Sequence, residues 1–184
     1  MILIRGGRVV DPTTGTDNCL DVLIREDRIE QVGEHLSVDD PDVRVLDATG
    51  LVVAPGLMDA HVHFRDPGFT YKEDIETGAA AAGRGGFTSV VCMANTKPAV
   101  DNPETLAYCL EKGAKTGIHM YQAATVTRGI DGKTLVDMEQ LAAKGAAGFT
   151  DDGIPILDEK VLVEAMQRAR ALDLPVSLHE EDPA

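Results

Sequence analysis

The chain has 184 residues, too few for a complete eight-fold α/β barrel, which takes about 250. Hydrophobic residues make up 43% and charged residues 26%, the balance of a globular protein that buries a core, which excludes disorder over most of the chain. A formal net charge of −14, from 17 Lys and Arg against 31 Asp and Glu, excludes the basic face that a nucleic acid or an anionic membrane requires.

The first fifty-odd residues read as short strands. Ile2 to Val10 is a β-rich run ending at the turn Asp11-Pro12-Thr13-Thr14-Gly15. Leu20 to Ile24 and Arg28 to Val32 form a hairpin around Arg25-Glu26-Asp27. Val43 to Leu46 and Leu51 to Ala54 follow, and nothing here has a helical period. Residues 1–55 are therefore expected to form a small β unit.

The pattern changes after Pro55-Gly56. Leu57 to His63 reads as a strand running into the loop Asp66-Pro67-Gly68, followed by an Ala-rich helix over Lys72 to Arg84 that ends at Gly85-Gly86. Thr88 to Met93 is a buried strand. A helix follows over Pro103 to Lys115, with Asn102 as its N-cap and Pro103 at its first position. Ile118 to Ala124 is a strand, Leu135 to Lys144 a helix, and Ala146 to Thr150 a strand. Asp158 caps a helix ending near Leu172, and Pro175 to His179 is the last strand. Strict β-α alternation means parallel strands with crossover helices, in either an open doubly wound sheet or a barrel. No GxGxxG or Walker loop is present, so a nucleotide fold is not indicated.

The cysteines Cys19, Cys92 and Cys109 are widely spaced and include no CxxC pair, which points to a reducing compartment. No apolar run reaches the roughly 18 residues of a membrane span, and the N-terminus has no signal-peptide pattern. The expectation is a cytoplasmic protein.

The chemistry gathers at strand ends. His61 and His63 stand two apart at the end of the first α/β strand, so both imidazoles face one side and can converge on one metal ion. His179 ends the last strand on the same rim and reads as a further ligand, although a rim histidine can equally be held by hydrogen bonds. Asp151-Asp152-Gly153 follows another strand; one carboxylate could bind metal, but the strand period does not decide which, and Asp-Asp-Gly is also ordinary turn chemistry. Arg65, two past His63, suits bidentate binding of a substrate carboxylate, or a loop salt bridge. Asn95 could hydrogen-bond a substrate, or form an Asx turn before Lys97-Pro98. His35, His119, Cys92, Cys109 and Lys97 are set aside: each lies off the rim or lacks an activating partner.

These residues carry a resemblance. Pro55-Gly56-Leu57-Met58-Asp59-Ala60-His61-Val62-His63-Phe64-Arg65-Asp66-Pro67-Gly68, Gly86-Phe87-Thr88, Met93 to Asp101 (MANTKPAVD), Gly148 to Gly153 (GFTDDG) and His179-Glu180-Glu181 resemble the amidohydrolase superfamily, and within it the dihydroorotases of the larger bacterial type. The combination of HxHxRDPG with MANTxP is specific. The resemblance implies a zinc-dependent (β/α)8 TIM-type barrel joined to a small β-sandwich. Residues 1–55 would be the N-terminal part of the sandwich, and residues 56–184 the first five barrel strands, incomplete.

His61, His63, Asp152 and His179 match zinc ligands, for one or two Zn2+. Arg65 and Asn95 match residues that hold the substrate carboxylate, and His63 is placed beside them on the substrate side. The implied reaction is reversible hydrolysis of dihydroorotate to N-carbamoyl-aspartate in pyrimidine synthesis. Zinc would polarise the ring carbonyl and bring the pKa of a bound water toward about 7. The family also uses a later-strand His and a catalytic Asp that this chain does not supply, and Asp182 does not replace that Asp by motif. The chain is therefore expected to be a fragment and inactive alone, with no catalytic residue of its own. Implied partners are a small-molecule substrate, a second copy in a homodimer, and aspartate carbamoyltransferase.

Two other readings stay open. An allantoinase or hydantoinase shares HxH, but usually needs a carboxylated lysine, and its ring has no carboxylate for Arg65. A non-catalytic scaffold for aspartate carbamoyltransferase would tend to lose the histidines that are kept here.

Overall fold

A computed structural model describes residues 1–181. Asp182, weighed above as a replacement base, lies outside them. The chain divides into two compact units, Met1–Pro55 and Gly56–Ala184.

In the first unit β1 (Ile2–Asp11) pairs antiparallel with β2 (Thr16–Arg25), which pairs antiparallel with β3 (Arg28–Gly33). The β2–β3 turn is Glu26-Asp27, with Glu26 at a positive φ of 54°. β4 (Arg44–Asp47) and β5 (Val52–Val53) both run parallel to β1. Leu3, Val9, Val22 and Leu23 turn inward. The buried Asp21 carboxylate accepts from Gly6 N at 2.8 Å and from Leu36 N at 3.0 Å, so one side chain satisfies the bulge in β1 and the segment after β3.

The second unit alternates strand and α-helix: β6 (Leu57–Val62), α1 (Ile75–Arg84), β7 (Phe87–Cys92), α2 (Pro103–Gly113), β8 (His119–Gln122), α3 (Met138–Ala143), β9 (Phe149–Thr150), α4 (Glu159–Ala171) and β10 (Val176–Ser177), with one short 3-10 turn (Arg128–Ile130) after β8. β6, β7 and β8 form one parallel sheet in that order, and β9 and β10 another. The two are joined where Ala124 bridges Phe149, with Ala147 N donating to Gln122 O at 2.9 Å and Thr150 N to Ala124 O at 2.8 Å. Neighbours in space are thus neighbours in sequence, and every strand's C-terminal end lies on one rim. A doubly wound sheet would reverse its order at a switch point; this run does not.

Val90, Ala94, Val100, Leu106, Cys109, Val126, Met138, Leu141 and Phe149 fill the core of this unit. Full burial of each larger side chain contributes about 1.5–3 kcal/mol.

Capping residues set the helix starts. The helix expected from Lys72 begins at Ile75, because Asp74 accepts from Thr77 N at 2.8 Å and closes a capping box. The helix expected from Leu135 begins at Met138, because Asp137 caps it and Leu135 instead bridges Thr127. Asn102 caps α2 through Thr105 N at 2.9 Å, with Pro103 at the first position. The strands expected over Ala146 to Thr150 and Pro175 to His179 shorten to two residues each. Among the described residues no helix is long and apolar enough to cross a membrane.

Candidate metal centre

His61 lies in β6 and His63 one residue past its end. The strand's two-residue period puts both rings on one side, edge to face at 71° with centroids 5.1 Å apart. Met93 N donates to Val62 O at 2.9 Å, which carries the pairing of β6 with β7 up to the rim between the histidines.

Asp152 arrives from the end of β9. Its amide donates to Thr150 Oγ1 at 3.0 Å, and Gly153 turns the chain at a φ of 92°. This tight turn separates the two aspartates. Asp151 points inward: its Oδ1 accepts from Val126 N at 2.8 Å and Thr127 N at 3.0 Å, and its Oδ2 accepts from the Thr127 hydroxyl. Burial is the largest influence on its carboxyl and pushes the pKa up against those hydrogen bonds. Asp151 is spent on holding the segment after β8. Asp152 faces the histidines.

His61 Nε2 lies 3.3 Å from His63 Nε2. Asp152 Oδ1 is 3.4 Å from His61 Nε2, and Asp152 Oδ2 is 3.3 Å from His63 Nε2. Zinc bonds near 2.0–2.1 Å in tetrahedral geometry place neighbouring ligand atoms about 3.3–3.4 Å apart. The His–His separation equals that edge. The two Asp152 separations come from its two different oxygens. One donor atom from each residue lies within 4.8 Å of the others, so the donor set can hold a divalent metal ion such as zinc. His179, past the end of β10, brings Nδ1 to 3.7 Å from Asp152 Oδ1, while its Nε2 lies 2.9 Å from Glu181 Oε2. It stands beside the tight His61–His63–Asp152 cluster rather than within it.

Asn95, past the end of β7, binds two of these residues. Its Nδ2 donates to Asp152 Oδ2 at 3.0 Å and to Asp152 O at 3.2 Å. Two acceptors on that side fix the amide, so its Oδ1 faces His63 and accepts from Nδ1 at 3.0 Å. His63 is thereby held as the tautomer whose Nε2 lone pair points at the cluster. Its pKa lies below the ordinary value, chiefly through burial and further through the Arg65 charge, with the Asn95 bond acting the other way. A neutral imidazole is the form that binds metal.

Arg65 is half-buried at a φ of 57°, unusual for a residue with a Cβ. Among the described residues no carboxylate lies within salt-bridge distance of its guanidinium. Sequence reasoning missed the next residue. Asp66 reads as loop chemistry but is buried, pairing with Lys112 Nζ at 2.7 Å and accepting from Tyr108 OH at 2.9 Å. No local signal could show this, since both partners lie a helix and a strand further on.

A family model described as dihydro-orotase-like matches residues 50–184. A dihydroorotase of Clostridioides difficile is 54% identical over 184 residues, covering 100% of this chain and 44% of that protein. One of Clostridium acetobutylicum is 52% identical over 183 residues, covering 100% of this chain and 43% of that protein. The chain thus spans under half the length of these curated relatives. Among solved structures, L-hydantoinase (dihydropyrimidinase) of Arthrobacter aurescens superposes with a TM-score of 0.80 at 18% identity, over 98% of this chain and 41% of that one.

Proposed function

Since the chain belongs to the dihydro-orotase-like family, we propose that it forms the metal-binding part of a zinc-dependent cyclic amidohydrolase that interconverts dihydroorotate and N-carbamoyl-aspartate. The observation that carries this reading is the Arg65 guanidinium, two residues along the chain from His63 and with no carboxylate partner among the described residues, next in sequence to a cluster of donors that can hold a metal ion. A hydantoin or allantoin ring offers that cation carbonyl oxygens but no carboxylate, whereas dihydroorotate carries one. The dihydroorotase names of relatives at 54% and 52% identity support the same choice.

His61, His63 and Asp152 would hold the ion, with His179 as a further ligand to it or to a second one. A zinc ion there supplies polarisation of the ring carbonyl and a lowered pKa for water. Arg65 binds the substrate carboxylate through its two-pronged guanidinium and so sets the ring's orientation. Asn95 holds the tautomer of His63 and the rotamer of Asp152, and in this reading its amide also faces the substrate.

The sequential parallel strands are read as the opening of a (β/α)8 barrel, and the first unit as part of a β-sandwich. The remaining ligand and the proton-transferring Asp would come from later strands of a longer protein. Cytoplasmic location, a homodimer and association with aspartate carbamoyltransferase belong to the same reading. Light scattering on the full-length protein, with and without that enzyme, tests the assembly.

The central test is a panel of dihydroorotate, hydantoin and allantoin on the full-length protein, together with its zinc content. Bound zinc with preferred turnover of dihydroorotate supports the proposal. Preference for either other ring, or a metal-free inert protein, overturns it.

A further inference from the structure

Arg65 adopts a left-handed conformation that a side-chain-bearing residue holds only when its surroundings impose it. The surroundings that impose it are on the next residue. The Asp66 side chain is fully buried and meets three donors on two helices at once: Lys112 Nζ at 2.7 Å and Tyr108 OH at 2.9 Å from α2, and Ile75 N at 3.4 Å from the first turn of α1. Its carbonyl accepts from Cys109 Sγ at 3.7 Å, again on α2. On the other side Lys97 N donates to Pro67 O at 3.0 Å, and a Cβ on Gly68 would run into the Lys97 carbonyl. The loop carrying Arg65 is therefore pinned on both flanks, with a buried charge as one of the pins.

We propose that Asp66, with Lys112 and Tyr108, is a positioning residue that sets where the Arg65 guanidinium stands and so tunes affinity for the carboxylate end of the substrate. The inference rests on reading Arg65 as the carboxylate anchor. Among the described residues the side chains of Lys112 and Tyr108 hydrogen-bond Asp66 and none of His61, His63, Arg65 or Asp152. Their loss leaves Asp66 without its fixed partners and lets the backbone at Arg65 relax toward negative φ, which swings the guanidinium away. Orientation errors of this size, made far from the reacting atoms, cost on the order of 10-fold or more.

The test is steady-state kinetics of the full-length protein with dihydroorotate, alongside zinc content and circular dichroism. The variants are Arg65→Ala, Asp66→Asn, Lys112→Met and Tyr108→Phe. Asp66→Asn can fail to fold. Lys112 and Tyr108 are partly exposed on α2, so their variants keep the question open to measurement. The expected result is a KM raised about 10-fold in Lys112→Met and Tyr108→Phe, with kcat within about twofold and zinc content unchanged. A rise in KM for Arg65→Ala with none for Lys112→Met and Tyr108→Phe overturns the proposal. So does a loss confined to kcat or to zinc content. An unchanged KM in Arg65→Ala instead overturns the reading of Arg65 itself.

Discussion

Asn95 and His63 share a 3.0 Å hydrogen bond that decides which imidazole nitrogen faces the Asp152 carboxylate. The same amide donates to Asp152 Oδ2 at 3.0 Å, so one side chain sets two of the three clustered donors. Asn95→Ala should therefore weaken zinc binding by roughly 10- to 100-fold, the usual cost of removing an outer partner of a metal-ligating histidine. Competition against a chromophoric chelator on the full-length protein measures this. An unchanged affinity would mean that His63 is oriented without Asn95.

The adjacent aspartates should separate under mutation. Asp151→Ala strands the buried amides of Val126 and Thr127, and we expect a loss of about 2–4 kcal/mol of stability from those unsatisfied donors. Zinc affinity of the protein that still folds should change little. Asp152→Ala should do the reverse, removing zinc at little cost to the metal-free fold. Urea denaturation and metal analysis of both variants check this, and a stable, zinc-free Asp151→Ala would exchange the two roles.

That contrast shows what the sequence made legible. The His61–His63 pair was readable because a strand's two-residue period is local, and both residues stand at the end of one strand. The aspartate that faces them was not readable from period, because β9 has only two residues and the turn after it rotates each side chain separately. The family resemblance named Asp152, and the turn explains why it faces the histidines. Asp66 was invisible for another reason: Asp-Pro-Gly is loop chemistry by composition, while its burial depends on α2, more than 40 residues away. Helix ends slipped by about three residues where a run of mixed residues fitted both a loop and a first turn. At α1 and α3 the cap fixed the start: Asp74 and Asp137 each hold an amide of the turn they begin.

His63 gives the metal-free protein a pH-dependent stability of defined sign. Its folded pKa is lowered from 6.5, mainly by burial. The unfolded chain therefore takes up the proton first as pH falls. The contribution from neutral His63 is fully present above 6.5 and is lost as pH drops through 6.5 toward the lower folded value. His63→Gln removes this dependence. Melting curves in EDTA should show the wild type losing ground to His63→Gln between about pH 7.5 and about pH 5.5. Parallel curves, or a widening wild-type advantage at low pH, would contradict the assigned direction.

Gly78 sets two physical effects against each other. It lies within α1, where replacing Gly by Ala ordinarily gains about 1 kcal/mol from backbone entropy. Its buried face, however, sits under the ring of Phe64, the residue between His63 and Arg65. A Cβ at position 78 would come within 2.6 Å of Phe64 Cε1 and 2.8 Å of Phe64 Cγ. Phe64 is itself only 8% exposed, so most of its ring is packed against neighbours that a displacement would disturb. Overpacking of this kind costs about 1–3 kcal/mol, which outweighs the propensity gain over most of that range. Gly78→Ala should therefore lower the denaturation midpoint without changing the slope of the transition. Because the displaced ring lies in the chain between His63 and Arg65, which the proposed function reads as metal ligand and carboxylate anchor, the same variant of the full-length protein should also raise KM for dihydroorotate. A stabilised Gly78→Ala would show that helix propensity governs this position and that α1 can shift away from Phe64 without disturbing the rim.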